Sequence, residues 1–282
     1  MYTDSHCHLD FPELQSDFEG VLAAMRAAGV TRALCIGTTL ERFDEVHRLA
    51  LRGAEGTPRL WATVGVHPDH EHDEEPTEQR LLELAARARV VGIGETGLDY
   101  YRLEGRSVAD MEWQRQRFRV HIRAARRAGL PLVIHTRAAA PDTLAILREE
   151  GGLSSRGGDG LPPVRGVFHC FTETLDVARA ALDMGFWISF SGIITFKNAA
   201  SLREVARYVP LQRTLIETDS PYLAPVPHRG KVNTPAYVPW VAAQLAALHG
   251  VTAEEVGQIT SANFTELFDR VRDEAQAHAQ PA

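Results

Sequence analysis

Cysteine, long apolar runs and excess positive charge are all scarce in this chain. Its three cysteines, Cys7, Cys35 and Cys170, are too few and too scattered for a disulfide framework or a Cys-x-x-Cys zinc site, so we expect reduced thiols. No apolar run approaches the roughly 20 residues of a membrane-spanning helix. The sequence begins without the basic and apolar segments of a leader. We therefore expect a cytoplasmic protein that makes no membrane contact.

The charge balance argues against one class of nucleic-acid binder. With 30 Lys and Arg against 37 Asp and Glu, the net charge is -7, which disfavours binding through a broad cationic surface. Local contact with nucleic acid stays open, because an enzyme that screens phosphates with bound metal ions does not need global basicity. The 282 residues, 44% of them apolar, suffice for two ordinary domains or one large α/β barrel.

Short β-rich runs alternate with longer helical stretches, which is typical of repeated βα units around a parallel sheet. Eight strands are predicted, at Tyr2–His8, Arg32–Gly37, Leu60–Val66, Val91–Glu95, Pro131–His135, Gly166–Cys170, Phe186–Ser191 and Thr214–Asp219. Eight such units in about 250 residues match one (β/α)8 TIM barrel, with a doubly wound open sheet as the alternative. We predict a single α/β barrel domain over residues 1–270.

Two signals predict the helices. Three of them end just before a glycine that suits a left-handed C-cap, and the longest carries an apolar stripe on one face. They lie at Glu13–Ala28, Leu40–Arg52, Val108–Ala128 and Leu175–Met184. The arginines of the longest helical stretch, the third of these, are predicted on the face opposite its apolar stripe. Extra C-terminal helices are predicted at Pro235–Gly250 and Ala253–Phe268, followed by a flexible tail at residues 271–282.

His6 and His8 form a His-x-His pair at the end of the first predicted strand. Side chains alternate between the two faces of a strand, so both imidazoles point the same way and can share one divalent cation. Taken alone, two histidines at this spacing are as consistent with chance as with a site. Residues on the other predicted strands therefore have to distinguish between the two interpretations.

Further ionisable side chains fall at the C-terminal ends of predicted strands, where barrel active sites form. The full set is His6, His8, Glu95, His135, His169 and Asp219. Six donors exceed the three protein ligands of one tetrahedral catalytic ion, so they predict two divalent ions bridged by a carboxylate, with Glu95 as the candidate bridge. For any one histidine, the alternative is a buried polar side chain hydrogen-bonded in the barrel.

Five ordered motifs carry a family resemblance. They are DSHCH at 4–8, GETGLDY at 94–100, LPLVIHTR at 130–137, FHCF at 168–171 and ETDSPYL at 217–223. In order and spacing they resemble the TatD family of metal-dependent deoxyribonucleases, and the resemblance spans nearly the whole chain. It implies an amidohydrolase-like barrel and a hydrolase that cleaves DNA.

The resemblance also implies the ligands of each ion. One ion would be held by His6, His8, Glu95 and Asp219. The other would be held by Glu95, His135 and His169. This chain departs from the family pattern at Ala138, where an acidic residue is common, and at Glu173, where a small residue is common. We expect these departures to affect how substrate is oriented.

Catalytic roles and substrate contacts are predicted from charge and position. Glu95 bridges the ions, Asp219 serves as ligand and base, and Glu217, on the same strand face as Asp219, orients a ligand or forms a core ion pair. Predicted phosphate and substrate contacts are His67, Arg137, Lys197 and Arg229. Surface solvation is the alternative for the three cations. For His67 the alternative is a hydrogen bond to a metal ligand, and direct metal coordination is not expected. Candidates for stacking on an unpaired base are Tyr100, Tyr101 and Tyr222.

The predicted cofactors are two divalent metal ions, Zn²⁺, Mn²⁺ or Mg²⁺, and histidine-rich donors favour Zn²⁺, Mn²⁺ or Co²⁺ over Mg²⁺. DNA, cut at single-stranded or frayed 3′ ends, is the expected substrate, and a monomer is the expected state. No nucleotide cofactor is expected, because no helix directly follows the G-x-G-x-x-G match at Gly92–Gly97. Two other functions stay open: a metal-dependent amidohydrolase or lactonase acting on a small molecule, and a barrel that binds partners without catalysis.

Overall fold

Eight parallel strands form one sheet in sequence order, with helices between successive strands. The computed structural model describes residues 1–52, 58–71, 73–151 and 160–272. The strands are β1 Tyr2–Cys7, β2 Val30–Cys35, β3 Arg59–Val64, β4 Val90–Asp99, β5 Leu132–Arg137, β6 Gly166–Phe168, β7 Trp187–Phe190 and β8 Thr214–Ile216. The predicted (β/α)8 TIM barrel is confirmed.

The sheet closes on itself through the segment that follows β8. A parallel bridge joins Cys7 to Ser220. The backbone N–H of Asp219 donates to His6 O at 3.0 Å, and the N–H of His8 donates to Ser220 O at 2.9 Å. Closure therefore brings the His-x-His pair beside Asp219, although they lie far apart in the sequence.

The helices are α1 Pro12–Gln15, α2 Phe18–Ala27, α3 Phe43–Arg52, α4 Glu78–Ala85, α5 Glu112–Ala128, α6 Ala140–Glu150, α7 Leu175–Asp183, α8 Ala200–Tyr208, α9 Val238–His249 and α10 Ala253–Leu267. The prediction of one helix over Glu13–Ala28 is wrong, because Asp17 caps α2 by accepting the Gly20 N–H at 3.2 Å. The stretch predicted at Val108–Ala128 begins as a 3-10 turn at Val108–Met111. The extra C-terminal helices are present as α9 and α10.

The sequence predicts the arginines of α5 on the face opposite its apolar stripe, but not all of them lie on a solvent face. Arg117 and Arg126 are buried, and their guanidinium groups donate to His67 O at 3.1 Å and Pro162 O at 3.0 Å. Arg117 also pairs with Glu75. A buried guanidinium needs such acceptors, so α5 holds the loop that carries His67.

Apolar side chains fill two layers. The larger layer lies between the strands and the surrounding helices. The smaller fills the barrel interior, where Trp61 packs with Phe264 and Phe268, in and just after α10. Asn263 fixes α10 at the N-terminal end of the barrel, since its Nδ2 donates at 2.8 Å to the carbonyl of Thr214, the first residue of β8. That end is covered, and the polar cluster lies at the opposite end.

The observed strand ends shift five predicted site residues. β4 and β5 continue to Asp99 and Arg137, so Glu95 and His135 lie within strands, whereas His8, His169 and Asp219 follow β1, β6 and β8. Gly97 lets β4 run this close to β5: its φ is +139°, and a Cβ there would collide with the carbonyl oxygen of His135. The predictions that Glu95 and His135 end their strands are therefore wrong, but both side chains still face the barrel mouth.

A helix that crosses a membrane needs roughly 20 predominantly apolar residues. Within the described ranges, none of the helices combines the required length and apolarity. The predicted tail, residues 271–282, lies outside the described residues from position 273 onward.

Candidate metal centre

Four donor atoms meet beyond the C-terminal ends of β1 and β8, and we call them the first donor group. The Nε2 atoms of His6 and His8 are 3.2 Å apart. Asp219 Oδ1 lies 3.5 Å and 3.4 Å from these two atoms, and Glu95 Oε2 lies 3.3 Å and 3.9 Å from them. Ligands about 2.0–2.1 Å from a tetrahedral zinc ion lie about 3.3–3.4 Å from one another. The spacing therefore fits one ion.

The other oxygen of Glu95 faces a second donor group. Glu95 Oε1 lies 2.7 Å from His169 Nε2, 3.2 Å from His135 Nδ1 and 3.3 Å from His67 Nε2. One carboxylate thus faces separate sets of imidazoles through its two oxygens, as a bridging ligand must. The sequence predicts His67 as a substrate contact or as a hydrogen-bond partner of a ligand, but not as a ligand itself. The structure places its Nε2 among these donor atoms.

Two further carboxylates contact the histidines of the second donor group. Asp99 Oδ2 accepts from His135 Nε2 at 3.0 Å, and Asp99 Oδ1 accepts the Tyr101 N–H at 2.8 Å. Glu217 is fully buried, with Oε1 3.4 Å from His169 Nδ1. A partner on the second ring nitrogen fixes the tautomer and direction of a metal-binding histidine. Of the two roles predicted for Glu217, this contact favours orienting a ligand.

Hydrogen bonds of the Asp4 and Asn233 side chains hold the ends of β1 and β8 together. The Asp4 carboxylate accepts the Thr218 N–H at 3.0 Å, the Thr218 hydroxyl at 2.6 Å and the His6 N–H at 3.2 Å. Asn233 Nδ2 donates to Thr218 O at 2.8 Å. Asp219 has φ +56°, a left-handed conformation that non-glycine residues keep only where surrounding contacts fix it. Asp4 and Asn233 thus position Asp219 without supplying donor atoms.

The carboxylate at the centre governs the protonation of its neighbours. Burial raises the pKa of Glu95, but nearby histidines, His169 and His67 foremost, outweigh it and hold this pKa well below its usual value. Burial lowers the pKa of His135, but hydrogen bonds to Asp99 and Glu95 raise it to about 9. An ionised Glu95 therefore favours the protonated form of His135, and a divalent cation can replace that proton.

The residues present fit divalent metal ions. Three sets of donor atoms lie close enough to share an ion: His6, His8 and Glu95; His67, Glu95 and His135; and His6, His169 and Glu217. The two ring nitrogens of the buried His169 face carboxylate oxygens of Glu95 and Glu217, but among the described residues neither makes a hydrogen bond of good geometry. Buried polar atoms left unpaired are costly. Imidazole with carboxylate is a donor set that suits Zn²⁺, Mn²⁺ and Co²⁺.

The cations predicted to contact phosphate lie around the mouth of the barrel. Arg137, Lys197 and Arg229 are all exposed. The guanidinium carbon of Arg137 lies 3.7 Å from the centre of the Tyr101 ring, and that of Arg229 lies 3.7 Å from the centre of the Phe196 ring. Each arginine is therefore held against an aromatic face and keeps its donors available at the rim.

Tyr100 does not present a free ring, so the prediction that it stacks on a base is wrong. It is buried, and its hydroxyl donates to Asp142 at 2.8 Å. Tyr101 and Tyr222 are 61% and 53% exposed. The prediction of a stacking role is kept for these two.

Asp99 and His121 were not predicted from the sequence. Glu95 and Asp99 are four residues apart on one strand, and this even spacing, which places them on one face, could have identified Asp99. His121 is buried in α5, and its Nε2 accepts the Val66 N–H at 3.0 Å. It holds the segment just before His67, and no local pattern distinguishes it from an ordinary core histidine.

The two departures from the family pattern contact each other. The backbone N–H of Ala138 donates to the carboxylate of Glu173. Burial raises the pKa of Glu173, while this hydrogen bond and the nearby His135 lower it by less. An acidic side chain is thus present beside position 138, supplied by the segment between β6 and α7.

Known proteins resemble this chain over almost its full length. A sequence profile described as TatD related DNase matches residues 3–269. The chain is 47% identical over 268 residues to the uncharacterized metal-dependent hydrolase YcfH of Escherichia coli, covering 94% of each protein. It is 37% identical over 271 residues to the uncharacterized metal-dependent hydrolase TatD of Mycobacterium tuberculosis, covering 94% of this chain and 97% of that protein.

A solved structure is similar to this chain in both fold and sequence. The crystal structure of YJJV, a TatD homolog from Escherichia coli, superposes with a TM-score of 0.80 at 28% sequence identity. The match covers 95% of this chain and 98% of that chain. This protein belongs to the TatD family of metal-dependent hydrolases.

Proposed function

We propose that the protein is a deoxyribonuclease that hydrolyses DNA phosphodiester bonds with two divalent ions, working 3′ to 5′ on single-stranded or frayed ends. The observation that carries the proposal is the position of Glu95, whose two oxygens face separate donor groups. One ion would be held by His6, His8, Glu95 and Asp219. The other would be held by Glu95, His135 and His169, with His67 beside them.

Ions held there would supply Lewis acidity, which lowers the pKa of a nearby water and offsets the negative charge of a phosphate. Asp219 is 16% exposed at this opening. Burial raises the pKa of Asp219, but its hydrogen bond with His8 and the charges of His6 and His169 lower it below the usual value. The carboxylate therefore stays ionised and can accept the proton of an attacking water.

The side chains that line the opening set the direction of substrate approach. His67 and His135 are 16% and 18% exposed, whereas Glu95 is 4% exposed and His6 is fully buried. A phosphate would thus enter between Asp219 and the two more exposed histidines, above Glu95. Glu217, behind His169, would keep that imidazole aimed at Glu95.

The rim cations favour a substrate with several phosphates over a small lactone or amide. All three are exposed: Arg137 ends β5, and Lys197 and Arg229 lie in the segments that follow β7 and β8. Guanidinium and ammonium groups contact backbone phosphates without reading sequence. This local positive charge would bind DNA despite the chain's net charge of -7.

A cleavage assay with one matched control tests the proposal. Metal-loaded protein is incubated with a 5′-labelled single-stranded oligonucleotide, and product lengths are followed over time. The parent should shorten it from the 3′ end, and Glu95→Gln should lose at least about 100-fold in rate. Asp176→Asn, which changes an exposed carboxylate in the first turn of α7, should match the parent. An intact oligonucleotide would refute the proposal, and cleavage of a lactone or amide by the same sample would favour that function.

A further inference from the structure

We propose that the mouth of the barrel carries two nucleobase-stacking subsites, one on Tyr101 and one on Tyr222. A single DNA strand would lie across the donor groups with one base on each ring. The inference rests on the proposed function and specifies its substrate, because it requires unpaired nucleotides on both sides of the phosphate that is cleaved.

Tyr101 presents a supported ring on the β4–β5 side. The residue is 61% exposed, and the guanidinium carbon of Arg137, the last residue of β5, lies 3.7 Å from the centre of its ring. The stacked guanidinium fixes the ring and leaves its other face open to a base. The Tyr101 N–H donates to Asp99, which also accepts from His135. This ring is therefore connected to the second donor group.

Tyr222 presents a second ring on the β8–β1 side. The residue is 53% exposed, and its ring meets that of Phe11 edge-on, with centroids 6.0 Å apart. Phe11 in turn stacks on His8 at 4.8 Å. The Tyr222 N–H donates to Asp219 O at 3.0 Å. This ring is therefore connected to the first donor group through both its side chain and its backbone.

The two rings lie on opposite sides of the metal centre. In a closed ring of eight strands, the β4–β5 seam is opposite the β8–β1 seam. Tyr101 follows β4 and Tyr222 follows β8. The other comparably exposed aromatic side chains of the described ranges, Tyr208 and Trp240, belong to helices α8 and α9. A strand whose phosphate lies at Glu95 can thus place a base on either side.

Stacking determines which nucleic acid these rings accept. Every base has a π-face, so stacking on an aromatic side chain tolerates any sequence, and each stack changes affinity by about fivefold to 100-fold. The face of a paired base within a duplex is covered by its neighbours. Two opposed rings therefore select single strands and frayed ends with little sequence preference.

Binding without cleavage tests the subsites. The probes are a fluorescein-labelled dT tetramer with phosphorothioate linkages and an abasic tetramer with the same linkages. Both are titrated with Mn²⁺-loaded protein by fluorescence anisotropy. The parent should bind the dT tetramer at least about tenfold more tightly than the abasic one. Tyr101→Ala and Tyr222→Ala should each reduce that preference about fivefold or more, and Tyr101→Phe should retain it.

Tyr208→Ala is the matched control. Tyr208 is exposed and also has a guanidinium, that of Arg179, 5.0 Å from its ring centre, but it lies at the end of α8. This variant should keep the parent's preference. Equal affinity of the parent for both tetramers, or an undiminished preference in both alanine variants, would overturn the subsites. A clear base preference in a protein that leaves cleavable DNA intact would support the subsites and refute the deoxyribonuclease function.

Discussion

Asp99 offers a sharp test of how the second donor group is organised. Its Oδ2 accepts from His135 Nε2 at 3.0 Å and its Oδ1 accepts the Tyr101 N–H at 2.8 Å, so both oxygens are used. In Asp99→Asn, one oxygen becomes an NH₂ group that cannot accept either N–H. The variant loses one hydrogen bond and the negative charge beside His135.

The expected loss falls on one metal site. Removing the carboxylate partner of a metal-binding histidine costs about 10–100-fold in metal affinity, or about 1.4–2.8 kcal/mol. Calorimetric titration of metal-free Asp99→Asn with Mn²⁺ should show the affinity of the step assigned to the second donor group reduced by this factor. The step assigned to the first donor group should be unchanged, as should both steps in Asp176→Asn. Parent-like affinity at both steps, or weakening of the first group alone, would refute the role given to Asp99.

Three further predictions concern pH and packing. Burial lowers the pKa of His135, but its two carboxylate partners raise it to about 9, so a proton must leave before metal binds. Metal affinity should therefore fall by up to about tenfold per pH unit from pH 9 towards pH 7. A flat profile in metal titrations at pH 7, 8 and 9 would contradict this. Burial lowers the pKa of His121 to about 4, against about 6.5 in the unfolded chain. The stability that comes from its neutral form is complete above about pH 6.5 and is lost progressively as pH falls from 6.5 to 4, by up to about 3 kcal/mol. Urea unfolding at pH 7 and 4.5 should show a smaller loss of stability for His121→Gln than for the parent, and equal losses would count against this role of His121. Gly97→Ala should lower the free energy of unfolding by more than about 3 kcal/mol, because the new Cβ collides with backbone. Gly29→Ala, at φ +70° with open space around it, should lower it by about 1–2 kcal/mol. Similar urea midpoints for the two variants would contradict the difference.

The barrel could be predicted because each βα unit carries its own local signal. Buried strand runs and glycines after helices recur along the chain, and none of these signals depends on a distant partner. The boundaries were less predictable. Asp17 begins a new helix inside an apparently continuous apolar pattern, and Gly97 allows β4 to extend past Glu95. Both effects depend on single side chains that the periodicity does not resolve.

The candidate site was predicted in part for the same reason. His6 and His8 could be predicted as a pair because their spacing places them on one face of a strand. His67 acquires its place only when β3 pairs with β4, where its side chain contacts Glu95. Asp99 shares a strand face with Glu95, but its contact with His135 forms only when β4 pairs with β5. The contacts that decide their roles are therefore products of the fold.

Metal stoichiometry tests most directly whether Glu95 joins two ions. Protein equilibrated with Mn²⁺ or Zn²⁺ and freed of excess by gel filtration can be analysed by mass spectrometry for bound metal per chain. The parent should hold two ions, His8→Ala and His135→Ala about one each, and Glu95→Gln fewer than one, because both donor groups share that carboxylate. A single ion in the parent, or two ions retained by Glu95→Gln, would contradict a shared bridging carboxylate.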